Sequence, residues 1–210
     1  MRKITLEDVT RAQQPVRLHA GDKILLNMCK DNPEHSDAGV IASKIWIIGR
    51  AYSASLERHM HEKVDSTEAF LLAGAELQGR DIDEHLDSAR TQNLTFRTAP
   101  SYALRVHKIV LEKLRKIARR DARPFCSKYL HFHNENLFPI FDSRAWKAIK
   151  KIAPHGSTLP AIDCDFEPDS EYADFAKRIV WLQWKVELEF GVYMSLRQID
   201  HLLLNIYDTL

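Results

Sequence analysis

The stretch Ser127–Ile149, SKYLHFHNENLFPIFDSRAWKAI, holds the residues best placed for chemistry. It reads as an apolar helix, a short polar loop and a proline-initiated return into a second helix, with Asp142 at the mouth of that second helix. Just upstream, residues 105–128 carry nine Lys or Arg against two acids, Glu112 and Asp121. Free backbone amides and the helix dipole favour an ionised carboxylate at such a position. Beside a strongly basic segment, this suits electrostatic or acid–base chemistry on a polyanion, and DNA is the first polyanion to consider. Asp is also a preferred N-cap for a helix over 143–152, and the two roles are compatible.

Other reactive side chains offer less. His59-x-His61 and His131-x-His133 invite a metal, but residues i and i+2 of a helix lie about 200° apart, so neither pair chelates one ion while its helix continues. No metal and no cofactor are expected. Cys29, Cys126 and Cys164 form no CxxC, which argues for a reducing compartment without disulfides or an iron–sulfur cluster. Cys126 has cationic neighbours but no base partner in sequence. The Arg-x4-His signature of helical ribonuclease toxins does not occur.

The elements that must position Asp142 are helical. Seven glycines in 210 residues and scarce β alternation give an all-α chain. Apolar periodicity predicts a helix from Asp37 to about His61, with Ile41, Ile45, Ile48 and Tyr52 on its buried face, and another from Ser66 to Leu77. A polar helix or turn follows at 81–89, and TQNLTFRTAP is a linker. Pro100 opens a long helix to about Arg119, its buried stripe formed by Tyr102, Val106, Ile109, Val110, Leu114 and Ile117. Arg120–Pro124 is a sharp break. Helices over about 125–132, 143–152, 171–190 and 195–208 complete the chain, the last capped by Ser195 with Gln198 and preceded by a Gly191 stop. Residues 154–170 form a polar loop. Residues 17–30 fit a short helix or an edge strand.

Length allows one domain, or two small lobes sharing a core. The net charge of +1 hides an uneven distribution, because Asp163, Asp165, Glu167, Asp169, Glu171 and Asp174 offset the basic run in the total. No apolar run reaches the ~18 residues of a membrane span, and the N-terminus lacks a signal-peptide core, so the expectation is a cytoplasmic chain with no membrane partner and no obligate protein partner.

At LFPIFDSRAWKAI the chain resembles the second half of the helix-hairpin-helix DNA glycosylases, especially their bacterial 8-oxoguanine-glycosylase-like branch. There a basic helix and hairpin lead into an apolar helix, then an apolar-Pro-apolar-Asp turn whose Asp begins the next helix. ARPFCSKYLHFH, LFPIFD and SRAWKAIKKI match these parts, and SLRQIDHLLLNIYD resembles the final helix. The match covers roughly 100–152 and 195–208. One departure stands out: the family hairpin is glycine-rich, whereas RRDARPF contains no glycine.

The resemblance implies a divergent, two-lobed fold around a cleft, with lobes of about 1–98 and 99–210 in one domain and the hairpin region 100–152 as one wall. It implies a DNA N-glycosylase that flips a damaged or modified base from duplex DNA and leaves an abasic site. Asp142 would stabilise the oxocarbenium-like sugar and Lys128 would assist, or act as nucleophile in a bifunctional enzyme; counting back from Asp142 puts the family's nucleophile position near Arg123, which favours a monofunctional one. Arg119, Arg120, Arg123, Ser127, Arg144 and Lys147 are candidate phosphate contacts. Candidate linings of a base pocket are Trp46, Arg50, Tyr52, Phe125, His131 and His133, with Tyr129, Trp146, Trp181 and Trp184 as further aromatics. Oxidised purine suits a repair role, and a glucosylated hydroxymethylcytosine of phage DNA suits defence. The rival from another class is a non-catalytic helical DNA- or RNA-binding protein.

Overall fold

The computed structural model describes residues 2–14, 20–52, 54, 56–61 and 64–210. Among these residues the chain is all-α, with no strand and a single isolated bridge, Met60 to Ala118. The helices are α1 (Leu6–Gln13), α2 (Ala20–Asp31), α3 (Ala38–Ala51), α4 (Ser66–Leu77), α5 (Arg80–Thr91), α6 (Pro100–Arg115), α7 (Arg123–His133), α8 (Ser143–Ile152), α9 (Ser170–Phe190) and α10 (Leu196–Tyr207). No helix is long and apolar enough to cross a membrane.

Local chemistry explains most of the boundaries. Asp37, Asp65, Asp142, Asp169 and Ser195 each accept backbone N–H bonds at the start of the helix they precede. Ser195 and Gln198 close a reciprocal capping box, and Gly191 ends α9 at φ 66°, a conformation glycine reaches without a Cβ clash. Pro100 and Pro124 occupy first turns, where no intrahelical donor is missed. Every helix contributes to one continuous hydrophobic cluster, as with Val9, Leu25, Ile45, Phe70, Leu86, Leu104, Leu130, Ile149, Phe175 and Leu203.

Several sequence expectations need correction. The helix expected over 37–61 stops at Ala51, and among the described residues a 3₁₀ turn at Glu57–His59 follows. The chain leaves helical geometry because His59–His61 pairs with the α6–α7 connection: Arg119 N–H donates to the His59 carbonyl at 2.6 Å, and His61 N–H to that of Ile117 at 2.8 Å. The same pairing ends α6 at Arg115 rather than Arg119. Helix α7 starts at Arg123, two residues early, because Pro124 sits in its first turn instead of blocking it. Residues 20–31 are helical, settling the open reading for 17–30 where the chain is described. Helix α1 was not expected; its Thr5–Asp8 capping box is nevertheless written in the sequence.

Candidate active site

The packing that brings Lys128 to Asp142 begins one residue before each of them. Ser127 is fully buried, and its hydroxyl accepts from Phe141 N–H at 2.9 Å while donating to the Pro124 or Phe141 carbonyl, at 3.1 and 3.2 Å. Nδ1 of His131 meets the Phe138 carbonyl at 2.8 Å, and the Tyr172 hydroxyl donates to that of Pro139 at 3.0 Å. These three side chains clasp the strap 138–141 against α7 and α9. Asp142 therefore emerges at the mouth of α8 directly over the first turns of α7. Its Oδ1 accepts from Arg144 and Ala145 N–H, both at 2.9 Å, and its Oδ2 stands 4.0 Å from Lys128 Nζ. Lys128 Nζ also donates to the Tyr52 carbonyl at 3.1 Å, at the end of α3.

The pair sits in a wider cluster of buried charge. The Lys128 side chain is 8% exposed. Burial pushes its amine below the usual lysine range, and the carboxylates of Asp142 and Asp200 partly oppose that shift. On α10, Asp200 is nearly inaccessible, and burial pushes its carboxyl up to about 7; Arg197 opposes that shift, and Asp142 adds to it. Oδ2 of Asp200 lies 3.4 Å from Arg197, whereas its buried Oδ1 has no hydrogen-bond partner. Arg197 also pairs at 2.5 Å with Asp22 of α2, which accepts from the Tyr52 hydroxyl as well. His131 and His201 complete the cluster. Burial pushes each imidazole down to about 4, so both are neutral at pH 7.

Sequence reasoning had singled out Lys128 and Asp142 but missed Asp22, Arg197, Asp200 and His201. The signal for Asp200 was present: it falls in helical step with the buried Leu196 and Leu203, where an unpaired acid is expensive.

The structure sorts the remaining candidates. Phe125 and Tyr129 belong to the core, 2% and 0% exposed, and cannot line an open base pocket. Ser127 holds the strap instead of a phosphate, and His131 likewise. His133 lies at the far end of α7 against Lys44, away from Asp142. Trp46 is half-exposed on α3, and Arg50 faces Phe70 and Glu57. Tyr52 does reach the cluster. Of the further aromatics, Trp146 packs on Phe141 and Phe175, Trp181 lies against the core and Trp184 is exposed.

The basic run also needs reinterpretation. The acidic loop before α9 folds onto it, Asp165 pairing with Arg105, which covers Phe166, and the Glu167 carbonyl accepting from Lys108. Arg115 and Arg123 share Asp121 and Asp169, and Arg123 adds Glu171. Lys113 and Lys116 pair with Asp81 and Glu76. Arg119 donates to the His61 carbonyl, which leaves Arg120 as the cation of this run without a partner among the described residues. Free positive charge lies on α8 instead. Arg144, Lys147 and Lys151 are exposed, fall at i, i+3 and i+7 on one face, and carry no ion pair among the described residues. The stripe begins two residues from Asp142.

Among the described residues no group of three His, Cys, Asp or Glu is placed to hold a metal ion. No protein-family model, no curated protein and no solved structure matches the chain.

Proposed function

We propose that the chain is a DNA N-glycosylase in which Lys128 is the nucleophile and Asp142 the electrostatic partner of the reacting sugar. The observation that carries this reading is the buried Lys128–Asp142 pair, 4.0 Å apart, its amine pushed below the usual lysine range by burial. A depressed amine has a larger neutral fraction at pH 7 and is the more reactive for it. The α8 stripe supports a polyanionic substrate, since it offers three uncompensated cations beside the pair. The two-lobed arrangement belongs to this reading too: from the first 98 residues, Asp22 pairs with Arg197 and the Tyr52 carbonyl accepts from Lys128, both of the remainder.

The chemistry follows from the pair. A nucleotide is extruded at a cost of a few kcal/mol. The neutral Nζ attacks C1′; the N–C1′ bond forms as the glycosidic bond breaks, and its electron pair leaves with the base, which takes a proton from solvent. The Asp142 carboxylate stabilises positive charge developing on the sugar. Loss of a proton from the alkylated amine and opening of the ring give an imine, from which strand cleavage follows. This reading takes the bifunctional alternative, and the 4.0 Å approach of Lys128 to Asp142 supports it.

Incubation with duplexes containing 8-oxoguanine, uracil, alkylated purines or hydroxymethylcytosine, with and without glucose, tests the reading and separates repair from defence. One base should be released, with a borohydride-trapped adduct that Lys128→Gln abolishes and turnover that Asp142→Asn abolishes. Salt-sensitive duplex binding without release of any base would instead make the chain a non-catalytic binding protein.

A further inference from the structure

Helix α8 buries Ala145, Ala148, Ile149 and Ile152, and this apolar stripe leaves the helix two flanks. On one flank Lys150 lies over the ring of Trp146 at 4.6 Å, so its cation is already engaged. On the other, Arg144, Lys147 and Lys151 are exposed and carry no ion pair among the described residues. From Arg144 to Lys151 the helix rises about 10 Å, which matches about three stacked nucleotides of one strand. Tyr207 of α10 stands beside this row. The Lys147 amine is 6.0 Å from the centre of its ring, which packs on the core yet is only partly buried. Asp208 follows it, exposed, and makes no ion pair with the row among the described residues. The row also leads to the buried pair. Asp142 accepts from the Arg144 N–H at 2.9 Å, and the Arg144 charge acts on both Lys128 and Asp200.

A duplex presents phosphates on two strands and is gripped best by cations on more than one element. The segment that would supply a second row, 105–123, is occupied. Arg105, Lys113, Arg115, Lys116 and Arg123 each face a carboxylate, and Arg119 donates to a carbonyl. The free charge beside Asp142 is therefore one cation wide, with an aromatic ring at its edge. That combination suits a single strand, whose backbone follows the charge while a base stacks on the ring. The depth of the amine points the same way. Lys128 is 8% exposed, so a base must leave any stack to bring its sugar there, and the cost is least for a base that is not paired.

We propose that this flank of α8 is a track for single-stranded DNA, with phosphates on Arg144, Lys147 and Lys151 and one base stacked on Tyr207. Delivery of an unpaired nucleotide from the track to Lys128 and Asp142 rests on the glycosylase reading above, whereas the strand preference is measured without any base release.

The intact chain is titrated into a short labelled strand of mixed sequence and into the same strand in duplex, by fluorescence anisotropy at fixed ionic strength. The single strand should bind at least tenfold more tightly. Tyr207→Ala should weaken single-strand binding about tenfold and leave duplex binding unchanged, while Tyr207→Phe, which keeps the stacking face, should match wild type. The wild-type comparison needs no variant, and the exposed pair Lys147→Gln, Lys151→Gln should weaken the single strand at least fivefold, which keeps the test decisive if Tyr207→Ala misfolds. Duplex bound as tightly as the single strand, or single-strand affinity unchanged in folded Tyr207→Ala, would overturn the proposal. Base release is scored separately on both forms. Release from a duplex that binds more tightly than its single strand would refute the track and keep the glycosylase. Tight single-strand binding with no base released from either form would keep the track and refute the glycosylase.

Discussion

Asp142→Asn separates the two roles of this carboxylate. Asn caps helices about as well as Asp, so the Arg144 and Ala145 amides keep an acceptor and the loss at the helix end is a few tenths of a kcal/mol. What disappears is the charge 4.0 Å from Lys128 Nζ. At that distance two unit charges interact by about 4 kcal/mol at an effective dielectric near 20. Water at the partly exposed Asp142, and the freedom of Lys128 to shed its proton, reduce the cost to about 1–3 kcal/mol. The sign with pH is fixed by the depressed amine. A lysine whose folded value lies below its unfolded one penalises the fold most where both states are protonated, and the penalty fades as pH rises toward about 10.4. Losing Asp142 depresses the amine further, so the deficit is widest near pH 7 and closes toward pH 10. Urea denaturation of wild type, Asp142→Asn, Lys128→Met and the double variant at both pH values measures this. A coupling below about 0.5 kcal/mol at pH 7, or a deficit unchanged at pH 10, would refute the account of the pair.

Replacing Arg144, Lys147 and Lys151 together by Gln should lower the log–log salt slope of duplex binding by about 2–3, while Arg105→Gln and Lys116→Gln, already paired with acids, should leave it unchanged; titrations across a salt series decide this. Asp200 has a folded value near 7, above its unfolded value, so its contribution makes stability fall as pH rises from about 4 to about 7. Asp200→Asn should therefore match wild type below pH 4 and exceed it above pH 7 in denaturation midpoints. A Cβ on Gly74 would overlap the Ala38 carbonyl and press on Ala42, so Gly74→Ala should cost about 1–3 kcal/mol despite alanine's better helix propensity, read from the same midpoints.

What was legible in the sequence is what forms within a turn or two of the chain. The Ser195 box, the Gly191 stop and Asp142 at a helix mouth are fixed by residues three or four apart, and all three stand where their spacing puts them. The Thr5–Asp8 box is as local, but it replaces the usual Glu or Gln with Asp and so escaped notice. Contacts between distant segments were hidden. Nothing near Arg105 announces that Asp165, 60 residues on, covers it, so the basic run was read as an open face. The 59–61 pairing with 117–119 shortened two helices for the same reason. Lys128 and Asp142 were each picked out by type, but their approach depends on a hydrogen bond from Phe141 to Ser127, invisible to periodicity.

The two ionic clusters of this chain differ in a way that bears on function. Around Arg115 and Arg123, three carboxylates meet two guanidiniums, each arginine finding at least two acids, and Asp169 additionally caps α9. That cluster fastens the α6–α7 connection to the start of α9, and the fold accounts for its members. Around Lys128, a buried amine has one carboxylate at the edge of ion-pair distance, and a neighbouring buried acid keeps an oxygen without any partner. Burying such charges contributes little to stability, since apolar replacements of buried ion pairs are often neutral or better. An incompletely matched buried cluster close to a helix face of free cations is therefore poorly explained by folding. That mismatch is what the glycosylase proposal draws on, with a bound substrate supplying the missing partners.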